Sequence, residues 1–138
     1  MSGRVFLDTN IIIYLYSEDE NDKREVAYNF VNNSNCVTSI QAMNEAGNVW
    51  LRKYKLDKHE IVKYLDEIEA VCDDVILIRR KTINQALDIK DRYGDSFYDC
   101  LMLASALEVN CGIILTEDMQ SGQVINSTLK ILNPFEAL

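Results

Sequence analysis

The chain has 138 residues, the length of one globular unit with one core, so neither a disulfide nor a metal staple is required for folding. Its 14 Lys and Arg against 22 Asp and Glu give a formal net charge of −8, which argues against a simple polyanion binder built on a basic excess. With 48% hydrophobic residues, 26% charged residues and a single Pro, the composition is that of a packed domain and not of a disordered acidic tail.

In chain order, Arg4 to Leu7 reads as a short buried strand, followed by Asp8-Thr9-Asn10 and a short helix from Ile11. The apolar stretch Val5 to Tyr16 is interrupted by Asp8 and Asn10 and runs into the acidic Glu18 to Glu20, so it is read neither as a signal peptide nor as a membrane span. Asp22 to Asn33 predicts a helix with Val26, Ala27, Phe30 and Val31 on one face. Cys36 to Thr38 predicts a strand, Ser39 caps a helix reaching about Tyr54, and Asp57 caps another carrying Ile61, Leu65, Ile68 and Cys72. Val75 to Ile78 is a β-branched strand, Thr82 to Tyr93 a helix ended by Gly94, and Phe97 to Val109 a very apolar helix begun by Ser96. Gly112 to Leu115 and Leu129 to Leu132 supply the last strands. No repeat or Gly/Ser/Pro-rich linker divides residues 1–138, which are read as a single domain. Short apolar strands separated by helices indicate an α/β fold with a mostly parallel sheet of about five strands covered on both faces.

Ligands in such folds bind beyond the carboxyl ends of the strands. Asp8 stands at the end of the first strand, and Glu117 and Asp118 stand just beyond the strand ending at Leu115. Glu45 and Asp99 lie on helices, Asp99 within the first turn of the most apolar one, and helices that start at the same rim bring all these acids together. Two carboxylates ~5 Å apart at an effective dielectric of ~20 repel by roughly 3 kcal/mol, so the cluster must bind cations or take up protons. Mg²⁺ or Mn²⁺ suits an all-oxygen site and supports phosphodiester hydrolysis by an activated water. Each acid also has a plainer reading. Asp8 can act as a helix N-cap, and Asp99 completes a Ser96-x-x-Asp99 capping pattern. Glu45 falls in a polar stripe with Gln41, Asn48 and Arg52 that fits a solvated helix face, and spacing leaves the choice between Glu117 and Asp118 open.

Other chemistries have less support. Cys36, Cys72, Cys100 and Cys111 form no CxxC pair and there is one histidine, so a zinc site is not expected; the cysteines read as reduced, mostly core thiols of a cytoplasmic protein. His59 stands near the start of a charged helix, and no GxxxxGK(S/T) or GxGxxG loop follows a strand. A phosphotransfer module with acids at strand ends needs a lysine beyond a late strand, and Lys130 lies within one.

Phe6-Leu7-Asp8-Thr9-Asn10, Ser39-Ile40-Gln41 through Asn44-Glu45, Tyr98-Asp99 heading an apolar helix, Thr116-Glu117-Asp118-Met119 with Gly122-Gln123, and Asn133-Pro134-Phe135 together carry a resemblance across almost the whole chain. It resembles the PIN-domain family, specifically the VapC toxins of toxin-antitoxin systems. The resemblance implies a three-layer α/β/α sandwich and a Mg²⁺-dependent endoribonuclease, with Mn²⁺ as a possible substitute. It implies that Asp8, Glu45, Asp99 and Asp118 form the catalytic site, Asp8, Asp99 and Asp118 taking the metal directly or through water. It also implies that Asn10 and Thr116 orient these carboxylates, and it ranks Asp118 above Glu117. Two departures are Asp95, an extra acid beside the site, and Thr116 where Ser is frequent. The implied partners are an RNA substrate, a cognate antitoxin laid over the active site and a second copy of the chain in a homodimer, with no membrane. Arg52, Lys53, Lys55, Arg79, Arg80, Lys81, Lys90 and Arg92 are candidates for RNA phosphate contacts, with a solvated surface as the plainer explanation. The alternative to an enzyme is a non-catalytic PIN-like module that binds RNA or protein and keeps its acids as caps.

Overall fold

A computed structural model describes residues 3–138. Twelve elements follow in the order β1 (Arg4–Leu7), α1 (Thr9–Tyr14), α2 (Asn21–Asn32), β2 (Asn35–Ser39), α3 (Ile40–Arg52), α4 (Lys58–Val71), β3 (Asp74–Ile76), α5 (Arg80–Tyr93), α6 (Phe97–Glu108), β4 (Cys111–Leu115), β5 (Val124–Ile125) and β6 (Leu129–Leu132). The local signals act where the sequence puts them. Ser39 accepts from the N–H of Ala42, Asp57 from that of Glu60, and Ser96 from that of Asp99, each satisfying a helix N–H that has no intrahelical partner. Gly94 ends α5 at φ 84°, a left-handed position that disfavours a side chain.

The sheet runs β3-β2-β1-β4-β6-β5. All neighbours are parallel except β5, which pairs antiparallel with β6. The sheet thus has six strands where about five were expected, and β5 is the added one: two residues are too few to leave a periodic signal. The chain leaves β1 towards β2 and β3, then returns through α5 and α6 to β4 on the other side of β1. With right-handed crossovers this reversal puts α1–α4 on one face and α5–α6 on the other, giving the expected α/β/α layers. Phe6, Leu7, Val37, Ile114, Leu115 and Ile131 are buried in the sheet, beneath Ile11, Ile12 and Ala46 and the enclosed side chains Cys100 to Ala104 of α6.

Observed ends differ from expected ones by a few residues. The third strand stops at Ile76, because Leu77 is already 64% exposed on the way into α5. All four cysteines are free and buried, and burial pushes the Cys36 thiol up to about 11. Among the described residues no helix is long and apolar enough to cross a membrane.

Candidate active site

The chain reverses its winding between β1 and β4, and in such folds the point beyond the carboxyl ends of these strands is where ligands bind. Their register pairs Leu7 with Leu115 and sets the following residues, Asp8 and Thr116, side by side. The Asp8 N–H donates to the Leu115 carbonyl at 3.1 Å. Its carboxylate is then fixed from two directions: Oδ1 accepts from the Thr9 N–H at 2.7 Å and Oδ2 from the Thr116 hydroxyl at 2.7 Å. The N-cap reading of Asp8 is therefore correct as far as it goes, with α1 starting at Thr9 and not at Ile11, while the second oxygen is held by Thr116 at the end of β4. Asp8 is 5% exposed. Burial pushes its carboxyl up to about 6 against the two hydrogen bonds, and the charges of Asp99 and Asp118 push the same way.

Asp118 follows β4 and is exposed at the rim. Its Oδ2 accepts from Asn10 Nδ2 at 2.7 Å, and its N–H donates to Thr116 Oγ1 at 3.2 Å. Glu117 points elsewhere: it accepts from the Tyr14 hydroxyl at 2.7 Å and from Lys23 Nζ at 2.5 Å. The geometry thus separates two acids that spacing leaves equivalent.

Glu45 reaches the rim from the second turn of α3. Its Oε1 accepts from the Thr9 hydroxyl at 2.9 Å and its Oε2 from Gln41 Nε2 at 3.0 Å. The same Gln41 amide donates to the Tyr98 carbonyl at 3.1 Å, tying α3 to the start of α6 next to Asp99. This corrects the reading of a solvated stripe: Asn48 and Arg52 are exposed, but Gln41 is buried and Glu45 half-buried. The α3 stripe turns inward at its first turn because that end abuts α6.

Asp99 is half-buried in the first turn of α6. Burial raises its carboxyl, a hydrogen bond with Ser96 opposes this, and the charges of Asp118, Asp95 and Glu45 raise it further. Asp95 adds negative charge beside it, with one carboxylate oxygen buried and unpartnered. Hydrogen bonds through Thr9 and Thr116 link Asp8 with Glu45 and Asp118, Asn10 holds Asp118, and Asp99 lies close enough for its charge to raise the Asp8 carboxyl. Thr9 and Gln41 are the polar partners that sequence reading passes over. Their signal is positional: Thr9 lies between Asp8 and Asn10, and Gln41 precedes Glu45 by one helical turn.

Among the described residues, no Lys, Arg or His forms an ion pair with any of these four acids. Nor do three His, Cys, Asp or Glu side chains converge tightly enough to hold a metal by themselves. A cation here would be held by one or two carboxylates and completed by water, which is how Mg²⁺ binds and how structural Zn²⁺ does not. The all-oxygen donor set and the uncompensated charge fit such a hard cation.

The remaining candidates fall away from the cluster. His59 is exposed on α4, and Lys130 is exposed within β6, not beyond its end. Arg79 pairs with Glu108, and Arg92 donates to Asn126 at 2.7 Å. Lys90 donates to the Asp95 carbonyl at 3.1 Å, which puts one cation near the start of α6.

No curated protein sequence matches the chain. Among solved structures, a toxin-antitoxin complex from Klebsiella pneumoniae is similar at a TM-score of 0.71 and 18% identity, covering 96% of this chain and 98% of that one. VapC20 of Mycobacterium tuberculosis, described as a sarcin-ricin loop cleaving toxin, is similar at a TM-score of 0.65 and 16% identity, covering 80% of this chain and 86% of that one. VapBC2 from Rickettsia felis, bound to a DNA fragment from its promoter, gives a TM-score of 0.66 and 16% identity over 94% and 99%. At such identities these likenesses concern the fold. The family model for the PIN domain matches residues 5–123, from β1 through α3 and α6 to beyond β4. Since that match spans every element that carries a rim carboxylate, the chain belongs to the PIN domain family.

Proposed function

We propose that the chain is an endoribonuclease that hydrolyses RNA phosphodiester bonds with a divalent cation, Mg²⁺ or in its place Mn²⁺, and that it is the toxin of a toxin-antitoxin pair. The observation that carries this reading is Asp8, a carboxylate buried at the β1–β4 switch point, repelled by Asp99 and Asp118 and compensated by no basic side chain among the described residues. Such an arrangement is costly unless it serves a cation, and a site beyond strand ends is where a fold of this kind presents one.

Asp8, Asp99 and Asp118 would hold the cation, directly or through water. When bound, it supplies positive charge for the phosphate oxygens and acidifies a water for attack on phosphorus. Thr9 and Thr116 fix the Asp8 carboxylate in place before substrate arrives, and Asn10 does the same for Asp118. Glu45 receives the proton of the attacking water on a carboxylate oxygen, each of which keeps a lone pair beyond its bond to Thr9 or Gln41. Lys90, which donates to the Asp95 carbonyl beside α6, would meet a backbone phosphate.

RNA as substrate is supported by the likeness to VapC20, a sarcin-ricin loop cleaving toxin, and an antitoxin partner by the toxin-antitoxin complexes among the structural neighbours. A homodimer is part of the proposal, and the four free cysteines support a reducing, cytoplasmic setting. The test is incubation of the purified chain, freed of any partner, with structured RNAs in Mg²⁺, Mn²⁺ or EDTA, beside Asp8→Asn. Cleavage that needs the cation and disappears in a folded Asp8→Asn supports the proposal. Wild-type cleavage by that variant removes Asp8 from the reaction, and RNA binding without cleavage in any cation makes the chain a binding module.

A further inference from the structure

The polar stripe of α3 continues past the carboxylate cluster. Its inner members, Gln41 and Glu45, are bound into the site, while Asn48 and Arg52 further along the same face are exposed. Arg52 follows Glu45 by seven residues, two helical turns, which keeps it on the Glu45 face about 10 Å along the axis. It opens a basic segment: residues 52–58 hold four of the chain's 14 Lys and Arg, namely Arg52, Lys53, Lys55 and Lys58, and one of its 22 Asp and Glu. All four cations are exposed, and no acid pairs with them among the described residues. The one acid, Asp57, is engaged by the Glu60 N–H at 2.9 Å as the cap of α4.

Two of these cations stand where local preference is against them. Lys55 adopts φ 56°, a left-handed conformation that favours glycine, and Lys58 occupies the first position of α4, where the helix dipole repels positive charge. Positive charge kept at a local cost, in a chain of net charge −8, indicates that the charge itself is used. A compact anion needs a pocket of converging donors, whereas a row of exposed cations on flexible stems suits the repeated charges of a phosphate backbone. The chain's other basic run is placed differently: Arg79 pairs with Glu108 at the opposite end of α6 from Asp99, and Arg80 and Lys81 follow it.

We propose that Arg52 and Lys55, with Lys53 and Lys58 beside them, bind phosphates of an RNA strand flanking the phosphate that is cut, and so fix which bond reaches the carboxylate cluster. Fixing the cut bond rests on the endoribonuclease reading; binding RNA at this ridge does not. Lys90 lies on the α6 side of the cluster and Arg52 on the α3 side, so a strand held by both passes over the carboxylates between them. The acidic balance elsewhere repels phosphates and narrows the paths such a strand can take.

A fluorescein-labelled single-stranded RNA of about 12 nucleotides is titrated with the full chain in EDTA, where the proposed cleavage does not run, and its anisotropy is read from about 50 to about 200 mM NaCl. Each phosphate contact contributes about 0.7 to the slope of log Kd against log salt, so Arg52→Gln with Lys55→Gln is expected to lower that slope by about 1.4 and to weaken binding by about tenfold or more. Arg52→Lys keeps the charge and is expected to keep the slope. Arg80→Gln with Lys81→Gln removes the same charge elsewhere and is expected to leave the slope unchanged. All four positions are exposed, so the circular dichroism spectrum stays as in the wild type. In Mg²⁺ the Arg52 and Lys55 double variant is expected to raise KM by about tenfold with kcat within about twofold, and to spread the cut over neighbouring bonds, while calorimetric Mg²⁺ binding is unchanged. Equal losses in the two double variants, an unchanged slope in the first, or no RNA binding by the wild type at the low-salt end would each overturn the proposal. Salt-dependent binding through Arg52 and Lys55 without cleavage in any cation would uphold the ridge and overturn the endoribonuclease reading alone.

Discussion

Asp8→Asn is expected to stabilise the protein at neutral pH in the absence of divalent cations, although it removes the acid on which the proposed cleavage depends. Asp8 has an ordinary carboxyl pKa of 3.8 and is pushed up to about 6 in the folded chain. Ionising it there costs more than ionising it in the unfolded chain by about 2 pH units, or about 3 kcal/mol. The folded state binds the extra proton, so the stability of the wild type falls as pH rises from about 4 to about 6 and stays reduced above that. Asparagine keeps an oxygen for the Thr9 N–H, but as a neutral acceptor it is worth roughly 1 kcal/mol less than a carboxylate. The net expectation is a gain of about 1–3 kcal/mol at pH 7, a shift of about 1 M in the urea midpoint. Urea unfolding of both proteins in EDTA, at pH 7 and at pH 4, measures it. The gap closes towards pH 4, where the carboxyl is protonated in the folded wild type and no buried charge remains, and Mg²⁺ raises the midpoint of the wild type only. An Asp8→Asn protein less stable than the wild type at pH 7, or a gap of the same size at both pH values, would refute the claim that Asp8 is an uncompensated buried charge.

Three further outcomes are expected. Asp118→Asn weakens Mg²⁺ or Mn²⁺ binding by about tenfold or more in a calorimetric titration; Glu117→Gln, whose carboxylate is engaged by Lys23 and Tyr14, changes it by no more than about twofold. Equal losses would return both acids to the site. Thr116→Val removes both the donor to Asp8 and the acceptor of the Asp118 N–H and costs about 1–3 kcal/mol in urea unfolding, while Thr116→Ser restores most of it; a Val variant as stable as the wild type would show that these bonds are not needed. Cation binding competes with the proton on Asp8, so affinity falls as pH drops below about 6, approaching tenfold per pH unit, and a flat profile from pH 7 to 5 would contradict it.

The sheet was readable because its strands are short apolar runs bounded by caps and turns, and Ser39, Asp57, Gly94 and Ser96 act as the local rules require. The strand Val124–Ile125 was not, since it exists only by pairing with β6. The rim acids were legible as strand-end and helix residues, but Thr9 and Gln41, which hold Glu45, were not. Lys23, which draws Glu117 away from Asp118, lies 94 residues from it in sequence. Gln41 is buried only because the start of α3 meets the start of α6, a tertiary fact that no stripe of polar residues announces. An aromatic cavity gathers Tyr16, Trp50, Tyr54 and Tyr64 from three elements with no common periodicity. Periodicity reports what one element buries, whereas these features arise where two or three elements meet.

The most direct test of hydrolysis at the carboxylate cluster is the chemistry of the RNA ends released in Mg²⁺. Attack by water deprotonated at Glu45 predicts 5′-phosphate and 3′-hydroxyl ends, absent in EDTA and with Asp8→Asn. Products ending in 2′,3′-cyclic phosphate would show that the RNA's own 2′-hydroxyl attacks, and would contradict the roles assigned to Asp8, Glu45, Asp99 and Asp118.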